Sequence, residues 1–379
     1  MIIREVTVTR SSDPSAYAWR QLRRFHNVEL VTKILQEVHQ IPAKHLSNAK
    51  KQAGQIRLCL SLAHDYYLAA KTVSLGTRPV LLYYSAMNLA LAEILFKQSG
   101  KSSLDRAREQ HRHHGLLTTV GNPKPTDDLT TSASSLFAKP MLSGTTGDRF
   151  GTFELWHQSA RQHPAYGELL DASHGIKGKR ALTDVSDERM PEIPDKGLTL
   201  LECLCQLPPL IQFLRTHGID SSLLRGETNL TAGPDGRTFT TIIHPAQSEK
   251  VEAFFEFVKV SPALVPNVNV SIPSGGGATV QIDMPRHNQY SASFQDCMNS
   301  EHGENFYHTD KLPLNEFGYF YVALFISGNY ARYYPDKWIT DIESASSLGL
   351  MVETLTEEAA RRVPLLTLCE LSRQVHVFI

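Results

Sequence analysis

The sequence predicts a mainly α protein of the α+β class: a helical bundle built from the N- and C-terminal segments, with a β-containing insertion at its centre. Three observations predict it. Long runs with apolar residues at helical spacing crowd both ends of the chain. Strand-like alternation with glycine turns gathers between Arg225 and Pro285. The length, 379 residues, suits one large domain with an insertion, or two domains. The expected divisions are 1–120 for the N-terminal helices, 121–310 for the mixed middle and 311–379 for the helices that complete the bundle.

The elements follow in order. "IIREVTVT" reads as an opening strand, and "PSAYAWRQLRRF" and "NVELVTKILQEVH" as helices, the first with proline at its start. "LSNAKKQAGQIRLCLSLAHDYYLAAKTV" is a long helix with Ile56, Leu60, Ala63, Tyr67 and Ala70 on one stripe. Gly76 ends it, and Thr77 opens "TRPVLLYYSAMNLALAEILFKQ", which is apolar nearly all round and belongs at a bundle centre. Asn88 and Glu93 inside that helix need partners if buried, which Arg78 or the C-terminal helix could supply. "TVGNPKPTDDLTTSASS" is a loop by composition, and "GTTGDRFGTFELWHQS" a short hairpin or a glycine-rich loop. Two prolines kink or break the helix in "LTLLECLCQLPPLIQFLRTH". "VNVSIPSGGGATVQIDM" is a hairpin across a glycine turn. "NEFGYFYVALFISGNYARYY" is a helix stopped at Pro335, and "SSLGLMVETLTEEAARR" and "LLTLCELSRQVHVF" are two more helices.

Composition narrows the function classes. An apolar fraction of 41% and a charged fraction of 20% are those of an ordinary globular chain. A formal net charge of −1 gives no global attraction to nucleic acid or membrane, so any basic surface is local. Of five cysteines without a CxxC pair, Cys59, Cys203 and Cys369 sit in apolar helical patterns and read as reduced core residues of a cytosolic protein, and no metal site is expected. Charges after every short apolar run in "MIIREVTVTR" argue against a signal peptide. The longest apolar stretch, Pro79 to Phe96, is short for a membrane span. A cytoplasmic location without membrane contact is therefore expected. "HGIKGKR" lacks the spacing of a phosphate-binding loop, and no nucleophile elbow, zinc-protease or dinucleotide motif is present, so no cofactor is expected.

One stretch carries concentrated chemistry. "DRAREQHRHHGLL" holds three arginines and three histidines within nine residues, Arg106 to His114. Further along, "ARYYPDKW" sets Arg332, Tyr333 and Tyr334 on the last turn of a helix.

"RPVLLYYSAMNLALAEIL", "HGL" (His114 to Leu116), "FGTFEL" and "YARYYPDKW" together resemble the signatures of the YaaC-like family, in the same order and over most of the chain. A more distant similarity is to HEPN domains, which are helical bundles, often dimeric, found in toxins, RNA-processing enzymes and antiviral defence proteins. Their catalytic members carry Arg and His separated by four to six residues near a helix end. Arg108 has that relation to His113 and His114, and Arg106 to His111 and His113. The resemblance therefore implies a metal-independent ribonuclease or toxin-type effector in bacterial antiphage defence, with RNA as partner and a homodimer as its working form. Arg108, His113 and His114 would be catalytic, and Arg106 and His111 would bind substrate; independently of the resemblance, Arg332, Tyr333 and Tyr334 are residue types that bind a phosphate and stack a base, and are expected to bind substrate.

The residue types fit that chemistry. RNA cleavage without a metal needs a base for the ribose 2′-proton and a cation for the phosphorane, roles suited to His and Arg. A plainer reading stays open beside it. Arg20 and His26 show the same spacing by chance, and a cationic helix end interacts favourably with the macrodipole. Tyr333 and Trp338 could likewise pack the core while Arg332 caps helix carbonyls. The alternative function is a non-catalytic module that dimerises and binds a partner protein; a small-molecule enzyme has no motif in its support.

Overall fold

The computed structural model describes residues 5–97, 104–105, 111–121, 128–160, 168–172, 179–182, 190–221, 223–233, 236–243, 268–271, 278–285, 297–299, 305–307 and 314–378. Strand β1 (Glu5–Thr9) leads into helix α1 (Pro14–Leu22), where the Asp13 side chain accepts the Ala16 N–H at 2.8 Å and Pro14 fills the first turn. Asn27 caps α2 (Val28–His39) in the same way. The two long helices follow, α3 (Leu46–Thr72) and α4 (Arg78–Lys97), packed against each other. The stripe from Ile56 to Ala70 on α3 is buried as its spacing predicts.

Short elements come next: β2 (Leu116–Val120), α5 (Leu129–Ser134), β3 (Leu136–Pro140) and α6 (Thr152–Ser159). Composition predicts a loop where α5 forms, and a short hairpin or glycine-rich loop over a stretch whose second half is α6. Asp128 accepts the Thr130 and Thr131 amides and so nucleates α5 within a Ser/Thr run. At "GTTGDRFGTFELWHQS" a tight turn closes with Leu142 bridged to Arg149, and α6 then starts at Thr152. Strands β4 (Glu168–Ala172), β5 (Lys179–Leu182) and β6 (Leu198–Thr199) precede the proline-broken segment. That segment forms α7 (Leu200–Leu204), a single 3₁₀ turn at Pro208–Leu210 and α8 (Ile211–Thr216).

The middle also holds β7 (Leu224–Gly233), β8 (Gly236–Ile243), β9 (Val268–Ser271), β10 (Ala278–Pro285), β11 (Cys297–Asn299) and β12 (Asn305–Tyr307). They join in the order β11-β12-β7-β8-β10-β9, and β4 pairs in parallel with β7 and antiparallel with β5. The β9–β10 hairpin is the one its sequence predicts. A second sheet runs β2-β3-β6. The chain is mainly α with these β additions.

Three C-terminal helices complete the bundle: α9 (Glu316–Tyr333), α10 (Pro335–Glu343) and α11 (Ser347–Ser372), followed by β13 (Gln374–Phe378). Helices α9 and α11 both pack on α4, and α1 packs on α11, so both ends of the chain build one bundle. β1 and β13 pair in parallel from Glu5–Gln374 to Thr9–Phe378. Here the structure differs from two sequence expectations. "QVHVF" is a strand because β1 offers it a ladder. The two expected C-terminal helices are one, running straight through Pro364. Proline removes the N–H that would bond the Ala360 carbonyl one turn earlier. Ser15 of α1 donates to that carbonyl at 3.1 Å, and the same hydroxyl meets the Tyr67 hydroxyl of α3 at 2.9 Å. A helix-breaking residue is tolerated because a distant helix satisfies the orphaned oxygen.

Among the described residues α4 alone is long and apolar enough to cross a membrane, and 72% of that stretch is buried inside the fold. Its polar positions are tied down. Asn88 donates to the Tyr84 carbonyl at 2.8 Å. Glu93 pairs with Lys97 at 2.5 Å and accepts the Trp156 indole N–H at 3.0 Å. Lys97 also meets Glu370 of α11 at 2.7 Å. The partners are Lys97 and Trp156 rather than Arg78, with the C-terminal helix sharing the lysine.

Candidate functional site

His114 lies in the turn that feeds β2, and two glycines fix its place. Gly115 (φ +86°) and Gly151 (φ +110°) lie back to back in backbone conformations that disfavour side chains. A Cβ on Gly151 would stand 2.5 Å from the Gly115 nitrogen, so neither position admits even alanine without displacement. The approach lets the Thr152 and Phe153 amides donate to the His113 and His114 carbonyls at 2.9 and 3.0 Å. Those amides open α6, whose first-turn N–H groups have no intrahelical acceptor. The "HGL" and "FGTFEL" stretches thus form one joint.

Helix α4 meets that joint from the other side. The Tyr83 hydroxyl hydrogen-bonds His114 Nδ1 at 2.8 Å. The Tyr83, Phe325 and Tyr84 rings stand 5.5, 6.0 and 6.3 Å from the imidazole, measured between centroids. Tyr83 is buried, and burial first, then the adjacent Tyr321 hydroxyl, holds its pKa well above the phenol range. It therefore stays a neutral phenol and orients the ring. The Tyr321 hydroxyl is fully buried beside the Tyr83 hydroxyl.

His114 itself is half-buried. Burial lowers its pKa below the usual imidazole value, and the nearby Arg332 guanidinium, then the His113 ring, lower it further. Arg332 comes from the end of α9 and reaches the Tyr84 hydroxyl at 3.5 Å, a long and weak contact. Tyr66 of α3 stacks on Tyr84 at 5.4 Å. A neutral imidazole, a guanidinium and two half-exposed tyrosine faces thus meet at one surface.

The other sequence-derived candidates are distributed around this point. His113 is exposed, with its ring edge-on to Phe150 at 4.9 Å. His111 is half-buried, its Nδ1 has no partner among the described residues, and burial lowers its pKa. Arg106 and Arg108 lie outside the described residues. Tyr333 is 60% exposed, which overturns the expectation that it packs the core; the Arg332 guanidinium lies 5.0 Å from its ring centre. Trp338 is the buried member of that stretch and donates to the Gly76 carbonyl at 3.1 Å. Tyr334 turns away, stacking on Tyr330 at 6.2 Å with Lys337 over its face. Sequence reasoning missed Tyr66, Tyr83, Tyr84 and Tyr321. The available signal was the pair of adjacent tyrosines in an otherwise aliphatic helix. Among the described residues no group of three or more His, Cys, Asp and Glu is placed to hold a metal ion.

The family model for YaaC-like proteins matches residues 23–371. The chain belongs to the YaaC-like family. No curated protein and no solved structure matches it. In this YaaC-like chain the four signature stretches, spread from Arg78 to Trp338 in sequence, converge on His114: Tyr83 and Tyr84 come from the first, Gly151 and Phe153 from the third, and Arg332 from the fourth.

Proposed function

We propose that this YaaC-like protein is a HEPN-like, metal-independent ribonuclease, acting in the cytoplasm as a toxin-type effector of bacterial antiphage defence and working as a homodimer. What supports it above all is a histidine anchored through Nδ1 by a buried phenol, with an arginine close enough to depress its pKa. When Nδ1 carries the proton and donates to the Tyr83 oxygen, Nε2 offers its lone pair to a ribose 2′-hydroxyl. The 2′-oxygen then attacks phosphorus, the P–O5′ bond breaks, and a 2′,3′-cyclic phosphate remains. His113 is the group to return a proton to the leaving 5′-oxygen. Arg332, together with Arg108 in the role its spacing to His114 implies, stabilises the phosphorane charge. Tyr84 and Tyr66 offer faces on which an unpaired base stacks.

Replacing the base with alanine removes the 2′-proton acceptor, so His114→Ala lowers RNA cleavage by about 10²–10⁴-fold. Gel-based cleavage of single-stranded RNA by wild type, H114A and R108A is the measurement. Equal rates in all three would remove the site from consideration.

One observation favours a second reading, a non-catalytic assembly module. Leu58 and Leu62, one turn apart on one face of α3, are 60% and 46% exposed. If that face is the protein's whole purpose, L58K/L62K abolishes self-association measured by light scattering, and H114A changes nothing.

A further inference from the structure

A second concavity lies apart from His114 and shares no residue with its site. It opens between α1, the 3₁₀ turn Arg23–His26 and α2 on one side, and the end of α11 with β13 on the other, and encloses about 480 Å³. That volume falls within the range of small-molecule sites. Phe25, Leu30, Ile34, Leu368 and Leu371 supply an apolar, largely aliphatic wall. Arg24 and Arg373 supply the charge, and among the described residues no acidic side chain lines the cavity. The α11 helix ends here, and its macrodipole contributes roughly half a negative charge beside the two guanidiniums.

The third feature is a polar atom without a partner. His376 lines the same cavity, is 6% exposed, and its Nδ1 makes no hydrogen bond among the described residues. Its Nε2 stands 3.1 Å from the Ser372 hydroxyl. If that hydroxyl donates to Nε2, the ring proton sits on Nδ1 and is available to an acceptor. Burial pushes the imidazole down to about 4, so the ring is neutral at pH 7. A buried donor left unmatched costs about 1–3 kcal/mol, which a bound oxygen would offset.

We propose that this cavity binds an amphipathic monocarboxylate, its aliphatic chain along Ile34, Leu368 and Leu371 and its carboxylate between Arg24, Arg373 and His376 Nδ1. Guanidinium forks match a planar carboxylate, and Ile34, Leu368 and Leu371 give the chain aliphatic contact, while the Tyr17 and Phe25 rings complete the wall, so AMP is the control that separates a fatty acid from a stacked base.

Isothermal titration of the full-length protein with decanoate, decanol and AMP tests it. Decanoate binds saturably at one site per chain. Arg24→Ala and Arg373→Asn, the latter chosen because asparagine tolerates the left-handed backbone there (φ +59°), each weaken it about tenfold. Decanol, with the chain and no charge, binds at least about tenfold more weakly. Absence of saturable decanoate binding, equal binding of decanol, unchanged affinity in both variants, or preferential binding of AMP would each overturn the assignment. None of these outcomes bears on RNA cleavage at His114.

Discussion

Charge is used in two opposite ways inside one bundle. In the core, Arg362 of α11 grips Glu316 of α9 with two hydrogen bonds, at 2.7 and 2.8 Å, and both residues are buried. Lys97 is held just as closely by Glu93 and Glu370. Beside the firmly anchored His114 the charge is held loosely: Arg332 is exposed, and its hydrogen bond to Tyr84 is 3.5 Å long. The contrast separates charges that fix the helices from a charge left available. Buried pairs hold their geometry because breaking them strands an ion in low dielectric. An exposed guanidinium gains little from its neighbours and is free to meet an anion.

Three substitutions sharpen that contrast. The largest effect belongs to the core: Arg362→Met leaves the Glu316 carboxylate buried without its cation and costs about 3–5 kcal/mol, read as a fall in the urea midpoint. Wild-type stability in that variant would mean that the pair contributes nothing. Next is Ser15→Ala. It strands the Ala360 carbonyl freed by Pro364 and costs about 1–3 kcal/mol. The double variant Ser15→Ala with Pro364→Ala recovers most of that loss, since alanine restores the N–H; additive losses would refute the explanation of the unbroken helix. The smallest stability change comes from Arg332→Ala, within about 0.5 kcal/mol, as for other exposed positions. Its effect appears in the pH profile of RNA cleavage instead. The Arg332 charge lowers the His114 pKa, so removing it raises that pKa. The base is then protonated, and activity lost, at a higher pH as the solution is acidified. An acid limb that stays in place would uncouple the two residues.

Much of the bundle was legible in the sequence because its signals are local. The buried stripe of α3, the all-apolar α4 and the β9–β10 hairpin all follow from periodicity and turn residues. The failures at Pro364 and at the C-terminal strand share a cause, which is dependence on distant partners, whereas α5 rests on the local Asp128 cap. A proline marks a break unless another helix feeds the orphaned carbonyl, and Ser15 stands 345 positions from Ala360. "QVHVF" is a strand only because β1 returns to it. At the site, His114 and Arg332 are named by residue type. Tyr83, which orients the imidazole, was hidden in a helix that reads as pure core. Its role exists only once α4 and the Gly115–Gly151 joint are in contact.

The parallel ladder between β1 and β13 sets an order of events during synthesis. α3 and α4 are neighbours in sequence and can pair as soon as both have emerged from the ribosome. β1 must wait for the last strand, and α1 for the stretch around Ala360. The cavity beside His376 is assembled from those same late pieces. It therefore comes into being only after β13 has emerged, whereas the helices that carry Tyr66, Tyr83 and Tyr84 can pair much earlier.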